Sequence, residues 1–337
     1  MQSKFCHPSR KGRWILIISL LTKPFSVFAR AAKDFERRFN YVKYKIKGDA
    51  YKAWTCTFPI GGHQDIIDSF LRGSAAYPDV EIRVNPSRKQ AENSIVYVPS
   101  GWKALRDAIA LKRAGKITKL ITGPVGDCID DYESIILDES IDVCVVPCQW
   151  YKEKCEREAA SKNLRFDNIC VWPVGVDHER WTPLNTKLDA KAGKALIYVK
   201  GRGAAALKST EDTVKKSGIE YQEIFCGSHV PGDYKAKLEW CDFVVYLGYS
   251  ETQGLALAQA WSMNRPTLVY EPDTVTELGL EAAPYLTSET GKRWKNIEEL
   301  ELLLLNMPVF SPRKWVLEHQ TNATAFGNFL RIVDDIR

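Results

Sequence analysis

From about residue 50 onward, short apolar runs rich in β-branched residues alternate with longer amphipathic stretches. This alternation is typical of repeated βα units around a parallel sheet. The first series of runs predicts strands at 54–60, 80–84, 95–99, 119–122, 143–147 and 169–173. The amphipathic stretches between them predict helices that include 65–73, 102–114 and 149–161.

The polar segment 182–194 interrupts this pattern and is predicted to be a linker, because it is rich in turn-forming residues. A second series of the same kind follows it. The strands of this series are predicted at 195–199, 220–225, 243–247 and 266–270, and its helices at 209–217, 234–240 and 254–263. The amphipathic stretch 315–336 predicts a terminal helix that packs back across the preceding domains.

Together the two series predict an α/β protein with two doubly wound, Rossmann-like domains that face each other across a cleft. Open α/β sheets bind ligands at the carboxyl ends of their strands, so the functional site is expected where the domains face each other. The predicted divisions are a basic arm at 1–48, an N-terminal Rossmann-like domain at 49–182, a C-terminal Rossmann-like domain at 183–314 and a C-terminal helix at 315–337 that packs on the N-terminal domain.

Composition adds one important asymmetry. Of the 337 residues, 45% are hydrophobic and 26% are charged, which excludes a disordered, collagen-like or disulfide-rich miniprotein. Residues 1–48 hold 12 Lys/Arg against 2 Asp/Glu, so a segment of net charge +10 belongs to a chain of net charge +5. Such a segment is typical of a patch for anionic lipid or nucleic acid, or of a solvated leader without a partner.

The apolar stretch 14–21 inside this arm is too short to span a bilayer. It resembles a secretory signal, but Lys23 and Pro24 interrupt it. With the apolar residues at 25–28 it fits an interfacial membrane helix better than a nucleic-acid surface, which needs aromatic residues arranged for stacking. The nine cysteines include no CxxC pair. We therefore expect a cytoplasmic protein with peripheral membrane contact through residues 1–48 and no nucleic-acid partner.

The first candidate site is a glycine pair, Gly61 and Gly62, placed between the predicted opening strand and a helix. Glycines at such a turn let the backbone approach a ligand, and the helix amino terminus offers N–H groups to an anion. A plain tight turn explains the pair equally well. His63 beside it is either a catalyst or a surface or structural residue.

The second candidate site is a pair of cations, Arg202 and Lys208, after the first strand of the second series. An Arg fork and a Lys point charge can together neutralise a diphosphate. Two solvated surface cations are the alternative, since most Lys and Arg residues are exposed.

The third candidate site is the segment that begins with Ser250 and Glu251, where a strand ends and Gly254 opens a helix. A helix start can hold a phosphate on its backbone amides, and a carboxylate one turn earlier can accept hydrogen bonds from sugar hydroxyls. A capped, buried helix is the alternative interpretation.

The order of these motifs resembles the GT-B glycosyltransferases of family 4 over residues 50–337. The motifs are Gly-Gly-x-Gln at 61–64, Val-Pro-Cys-Gln-Trp at 146–150, Pro-Val-Gly-Val-Asp at 173–177, Arg202 with Lys208, Ser-Glu-Thr-Gln-Gly at 250–254 and Arg-Pro-Thr-Leu-Val at 265–269. The resemblance implies a retaining, metal-independent glycosyltransferase of the hexosyltransferase type. Its donor substrate would be a nucleotide-diphosphate sugar, with no further cofactor, and its acceptor a glycan or a lipid-linked acceptor.

The resemblance also implies roles for individual residues. Arg202 and Lys208 match the family's diphosphate-binding pair, and Glu251 matches the first glutamate of its Glu-x7-Glu motif, near the hydroxyls of the donor sugar; these three form the catalytic set. The other implied contacts are Gly254 and Leu255 at the distal phosphate, Ser228 to Val230 at the base, Gly61 and Gly62 at the diphosphate, and His63 and Gln64 at the acceptor.

Two positions depart from the family pattern. Gln259 stands where the second glutamate of the motif binds ribose, and an amide can still accept one hydrogen bond and donate another. The segment 122–127 lacks the histidine that many members carry there. Two alternatives stay open: a nucleotide-sugar epimerase, which needs an acid and base pair that the sequence does not reveal, and a catalytically inactive GT-B scaffold.

Overall fold

The computed structural model describes residues 6–8, 14–49, 52–53, 56, 61–124, 129, 131–184 and 193–336. It divides the chain into two compact units. Unit 1 comprises Met1–Lys47, Thr55–Gly175 and Asn322–Arg337, and unit 2 comprises Gly48–Trp54 and Val176–Thr321. Each unit is built on a sheet dominated by parallel strands, which confirms the prediction of two Rossmann-like α/β units.

Unit 1 has a sheet of the order β3-β2-β4-β5-β6-β7, with every neighbouring pair parallel, and β1 pairs antiparallel with the first residues of β2. Its strands are β1 Cys6–Pro8, β2 Trp14–Leu20, β3 Val80–Val84, β4 Ile95–Val98, β5 Lys119–Thr122, β6 Val143–Val146 and β7 Ile169–Val171. The helices between them are α1 Val27–Ile46, α2 Gly61–Ser74, α3 Arg88–Ala91, α4 Trp102–Arg113, a 3₁₀ helix Asp131–Leu137 and α5 Gln149–Ser161.

The opening strand of unit 1 corrects the sequence interpretation. Residues 14–20 are not the apolar part of an arm; they form β2, which pairs with β3 on one side and β4 on the other. Ile18 and Leu20 are fully buried. A run of β-branched residues in a sheet covered on both faces is apolar throughout, which resembles a membrane segment on sequence alone. The predicted strand 54–60 falls mostly outside the described residues, and residue 56, which is described, is helical.

Unit 2 has a fully parallel sheet of the order β9-β8-β10-β11-β12. Its strands are β8 Lys194–Val199, β9 Glu220–Phe225, β10 Phe243–Leu247, β11 Thr267–Tyr270 and β12 Gly291–Trp294. Its helices are a 3₁₀ helix Gly201–Ala206, α6 Leu207–Lys216, α7 Pro231–Trp240, α8 Leu255–Ser262, α9 Asp273–Glu277, α10 Ile297–Leu305 and α11 Pro312–His319. Successive residues of β8 enter separate cores, Leu196 on one face and Ile197 on the other, so both faces of this sheet are covered.

The last helix, α12 Asn322–Asp335, returns to unit 1 and packs on α2. Gly73 of α2 permits this approach, because a side chain there would collide with the carbonyl oxygen of Asn322. Trp172 fixes the helix further, since its Nε1–H donates to the carbonyl oxygen of Ala325 at 2.8 Å. The single terminal helix predicted at 315–336 is therefore two helices, α11 in unit 2 and α12 in unit 1. In the part of the chain that the structure describes, no helix combines the length and hydropathy that a bilayer crossing requires.

A carboxyl pair gives unit 2 a pH-dependent stability. A hydrogen bond with the Glu211 side chain, followed by burial and the charge of Glu211, raises the pKa of Glu223 to about 7. Because the folded-state pKa lies above the ordinary value, the pair stabilises the fold at low pH, and this contribution is lost as the pH rises through 7. We expect Glu211→Gln to melt about 2 °C above the wild type at pH 8.5 and with little difference at pH 5, measured by differential scanning fluorimetry.

The matched control for this prediction is Glu220→Gln, which removes an exposed carboxylate from the same strand as Glu223. It should not change the pH dependence of Tm. If Glu211→Gln shifted Tm equally at both pH values, the ionisation of Glu223 beside Glu211 would be ruled out as the cause.

Candidate functional site

The strand order of unit 2 creates a switch point between β8 and β10. From β8 the chain moves to β9 on one side, and it then crosses to β10 on the other. In open α/β sheets the loops at the carboxyl ends of two such strands separate and leave a crevice for a ligand. The segments that follow β8 and β10 are therefore the place to look for a site in unit 2.

A cavity of about 410 Å³ lies at this switch point. Its lining residues are Lys200, Gly201 and Arg202 after β8, Tyr249 and Ser250 after β10, and Leu280. The two segments approach closely because Gly203 has no side chain; a Cβ there would collide with the carbonyl oxygen of Leu247. Gly201 also has a positive φ of 56°, which favours glycine at this turn.

A buried carboxylate lies beside the cavity. Glu251 is 5% exposed, and its Oε1 accepts from Lys200 Nζ at 2.6 Å and from the Tyr246 hydroxyl at 2.5 Å. Burial raises the pKa of Tyr246 well above its ordinary value, with a further contribution from Glu251, so the phenol stays protonated and can donate. A buried charge requires such partners, and here they also fix the direction of the carboxylate.

A second ion pair, between Arg293 and Glu271, holds the segment that contains Leu280. Arg293 Nε lies 2.7 Å from Oε1 of Glu271, and Oε2 of Glu271 accepts from the Ala282 amide at 2.6 Å. The segment in turn contacts the carboxylate loop, because the Glu251 amide donates to the carbonyl oxygen of Glu281 at 2.8 Å. The walls of the cavity are thus held by two buried carboxylates, each paired with a partly exposed cation.

Arg202 is the exposed cation of the cavity. Its guanidinium carbon lies 5.2 Å from the centre of the Tyr249 ring, within cation–π range. A guanidinium that stacks on an aromatic face can still direct its N–H donors at an anion. Lys200 and Arg202 together place two positive charges on the lining of the cavity.

Lys208, the predicted partner of Arg202, has a different neighbour. It lies on the first turn of α6, and its Nζ is 2.8 Å from Oδ1 of Asp212, one helical turn later. The hydrogen bond and the charge of Asp212 raise the pKa of Lys208. The side chains of this pair are 81% and 62% exposed, and Lys208 is not among the residues that line the cavity.

The start of α8 carries the other residues predicted for the donor. Gly254 precedes Leu255 with a left-handed backbone, φ 60° and ψ 38°, so the sequence prediction that Gly254 opens a helix is confirmed. Gln259 lies half-buried on the same helix. Beside Gly254, Gln253 is 8% exposed, and neither of its side-chain polar atoms has a hydrogen-bond partner in the described part of the chain.

The loop between β9 and α7 contains Ser228 and Val230. The Ser228 hydroxyl donates to the carbonyl oxygen of Phe225 at 2.8 Å, and the Val230 amide donates to Oδ2 of Asp233 at 3.1 Å. Between them the ring of His229 packs edge-on against Tyr198, with ring centres 6.0 Å apart. These contacts give the loop a defined shape at the carboxyl end of β9.

The residues predicted for the diphosphate and the acceptor in the N-terminal half have a different setting. Gly61 and Gly62 are the first residues of α2, and the nearest preceding strand in the described residues is β2. The prediction that this glycine pair lies in a turn before a helix is therefore wrong, because both glycines belong to the helix; residues 57–60, predicted as the end of the preceding strand, lie outside the described residues. The side chain of His63 lies outside the described residues, while Gln64 Nε2 donates to Oδ1 of Asp68 at 2.6 Å.

Sequence reasoning missed the cavity role of Lys200 and Tyr249. Both directly follow apolar strands, and this position was the available signal. What the sequence lacks is the contact between the two loops, which depends on Gly203 packing on the end of β10. Within the described residues no cluster of three or more His, Cys, Asp or Glu side chains could hold a metal ion.

Known proteins resemble this chain in structure. No family model and no curated protein matches the sequence. The lipopolysaccharide outer core galactosyltransferase WaaB, in its apo form, matches with a TM-score of 0.56 and 11% identity over 94% of this chain and 99% of that chain. The GtfA/B complex matches with a TM-score of 0.44 and 12% identity over 72% and 57%, and its complex with UDP and GlcNAc with 0.36 and 13% over 72% and 54%. The likeness to WaaB shows a shared fold.

Proposed function

We propose that this chain is a glycosyltransferase that moves a sugar from a nucleotide-diphosphate sugar to a glycan or lipid-linked acceptor. The observation that carries the proposal is the cavity at the β8 and β10 switch point, with Lys200 and Arg202 on its lining and Glu251 buried beside it. The fold is one that WaaB, a galactosyltransferase, also has. A fold alone does not determine a function, so the proposal depends on the chemistry of this cavity.

Two features support the diphosphate as the group bound there. The guanidinium of Arg202 offers a planar fork that matches phosphate oxygens, and Lys200 adds a point charge. The first turn of α8 follows Gly254 without a side-chain cap, and a helix amino terminus of this kind attracts an anion. In this assignment Ser228 and Val230 contact the base, and Gln259 contacts the ribose.

The proposal keeps Lys208 as a ligand of the diphosphate. An exposed ion pair such as that of Lys208 with Asp212 contributes little to stability, because water screens it. A diphosphate carries more charge than one carboxylate and accepts charge-assisted hydrogen bonds from several directions. Lys208 therefore exchanges Asp212 for the donor when the donor binds.

Glu251 is proposed to orient the donor sugar. Lys200, which lines the cavity, and Tyr246 hold its carboxylate in a fixed direction, and a carboxylate accepts hydrogen bonds from sugar hydroxyls. As the glycosidic bond breaks, the sugar gains oxocarbenium character and the leaving diphosphate gains negative charge. Arg202 and Lys208 stabilise that charge without a metal ion, and the acceptor attacks from the face that the diphosphate leaves, so the configuration is retained.

The experiment that tests this function is a thermal-shift screen with uridine, guanosine and adenosine diphosphates, followed by a transfer assay with the matching sugar nucleotides. We expect one diphosphate to raise Tm in proportion to ln(1 + [L]/Kd). Lys208→Ala should lower the affinity for that diphosphate roughly tenfold or more, because a charge-assisted contact is lost. Asp212→Asn should instead tighten it slightly, up to about threefold, because Lys208 is released from its pair.

Three results would argue against the assignment. No response to any diphosphate at millimolar concentration would remove the proposed donor site. Unchanged affinity in Lys208→Ala would assign the phosphate contacts to Arg202 and Lys200 alone. Tight binding without transfer of any sugar would favour the inactive scaffold.

A further inference from the structure

The helix α1 carries a stripe of large apolar side chains on its outward face. Phe35, Phe39, Val42 and Ile46 are 74%, 63%, 54% and 81% exposed. Their spacing of four, three and four residues places them on one side of an α-helix. We call these four residues the α1 stripe. Single exposed apolar residues are common on protein surfaces, but a continuous row of four marks a contact surface.

The opposite side of α1 is less exposed. Asn40, Tyr41 and Tyr44 are half-buried, whereas the α1 stripe is not covered by any described part of the chain. The hydrophobic effect within unit 1 therefore does not account for the stripe. Exposing these apolar side chains to water costs free energy, and contact with another apolar phase removes that cost.

Basic residues border the α1 stripe on both sides. With 3.6 residues per turn, Lys43 and Lys47 lie along one edge, and Arg38 and Lys45 lie along the other. All four are exposed. Glu36 is the acidic residue on the exposed surface of the described part of this helix. An apolar stripe between two rows of cations is the arrangement of a helix that lies in a membrane interface.

We propose that the α1 stripe docks on an anionic lipid bilayer, with α1 lying parallel to the membrane plane. The stripe enters the boundary between headgroups and acyl chains, and the bordering Lys and Arg residues contact the lipid phosphates. Charge decides between this partner and a second copy of the chain. A two-fold dimer through the stripe would bring the basic rows of two copies together, and like charges repel.

This surface differs from the one that the sequence predicted. The stretch 14–21 was expected to enter the membrane, but its residues 14–20 form β2 between β3 and β4, where Ile18 and Leu20 are fully buried. A truncation that removes residues 1–48 would delete β2 together with α1. The proposal therefore requires point substitutions on the outward face of α1 in the full chain.

The test is flotation of the full-length protein with vesicles of phosphatidylcholine that contain about 30% phosphatidylglycerol, compared with phosphatidylcholine alone. The wild type is expected to float with the anionic vesicles. Phe35→Ala with Phe39→Ala should lower the partition coefficient about tenfold or more, because two buried aromatic contacts with the acyl region are lost. Lys43→Gln with Lys45→Gln should remove most of the preference for anionic lipid and its salt dependence.

The matched control is Leu302→Ala with Leu305→Ala, which removes two leucines of similar exposure, 61% and 73%, from α10 in unit 2. That helix has acidic residues in its first turn and should not contact anionic lipid. Circular dichroism confirms that each variant is folded. Equal flotation of the wild type and the Phe35 and Phe39 double variant would overturn the proposal. So would a wild-type protein that ignores vesicles and forms a dimer that the same variant abolishes.

Discussion

Replacing Arg202 with Ala is expected to lower kcat/KM for sugar transfer about 100- to 1000-fold while leaving the fold intact. In the proposed reaction Arg202 stabilises charge that develops on the leaving diphosphate, and removing one preorganised group of this kind typically costs two to three orders of magnitude in rate. The fold should tolerate the change, since Arg202 is exposed and its guanidinium lies over the ring of Tyr249. Steady-state kinetics of the purified variant and its Tm provide the two measurements.

Arg202→Lys is the matched control, because it retains the charge and loses the planar fork. Its rate should fall between those of the wild type and Arg202→Ala. A value of kcat/KM within threefold of the wild type in Arg202→Ala would contradict the assignment of this cavity to the leaving group, even if nucleoside diphosphates still bind.

The first four strands of unit 2 and the helices α6, α7 and α8 could be predicted from the sequence, whereas β12, α9 and α10 were not predicted. These four strands are short apolar runs between clear polar turns, and the predicted strand 243–247 agrees with β10 residue for residue. The start of α8 was also predictable, since a glycine after a strand and before an amphipathic segment commonly marks a helix start. Local pattern and tertiary structure agree in this half of the chain, which is why reasoning from the pattern succeeds there.

Unit 1 could not be predicted as well, because two local signals pointed away from the fold. The charge of residues 1–48 made the segment look separate from the body, although β2 within it pairs with β3 and β4. The apolar run 54–60 then looked like the missing first strand. Because strand pairing is a contact between residues distant in sequence, neither the charge nor the periodicity of a segment predicts whether that segment enters the sheet.

The candidate site shows the same division between local and long-range information. Arg202 could be identified because it follows a strand, and so could Glu251. The ion pair between Lys200 and Glu251 could not, because it joins two loops that are distant in sequence and depends on the length of one lysine side chain. Lys208 and Asp212 lie four residues apart on a helix, and this spacing allows an ion pair between them. The spacing alone does not decide whether Lys208 pairs with Asp212 or binds a phosphate.

The largest expected effect on stability comes from replacing Phe70 with Ala. Phe70 is 1% exposed and lies in an aromatic cluster, with ring centres 4.8 Å from Tyr97, 4.9 Å from Phe326 and 5.0 Å from Phe329. It joins α2 to the sheet and to α12, so its removal leaves a cavity between these three elements. Such substitutions typically cost about 3–5 kcal/mol. Urea unfolding should therefore show the unit 1 transition moved to lower denaturant by about 1–2 M.

Val84→Ala is the control for this last prediction, because it removes apolar atoms from a residue of the same unit that is 51% exposed. Its unfolding free energy should change by less than about 0.5 kcal/mol, as for most surface substitutions. Val84→Ala therefore gives the background cost of an exposed apolar truncation in unit 1, against which the loss of the buried ring is compared. If Phe70→Ala destabilised no more than Val84→Ala, α12 could not be held on α2 by this cluster, and the return of the chain to unit 1 would need another cause.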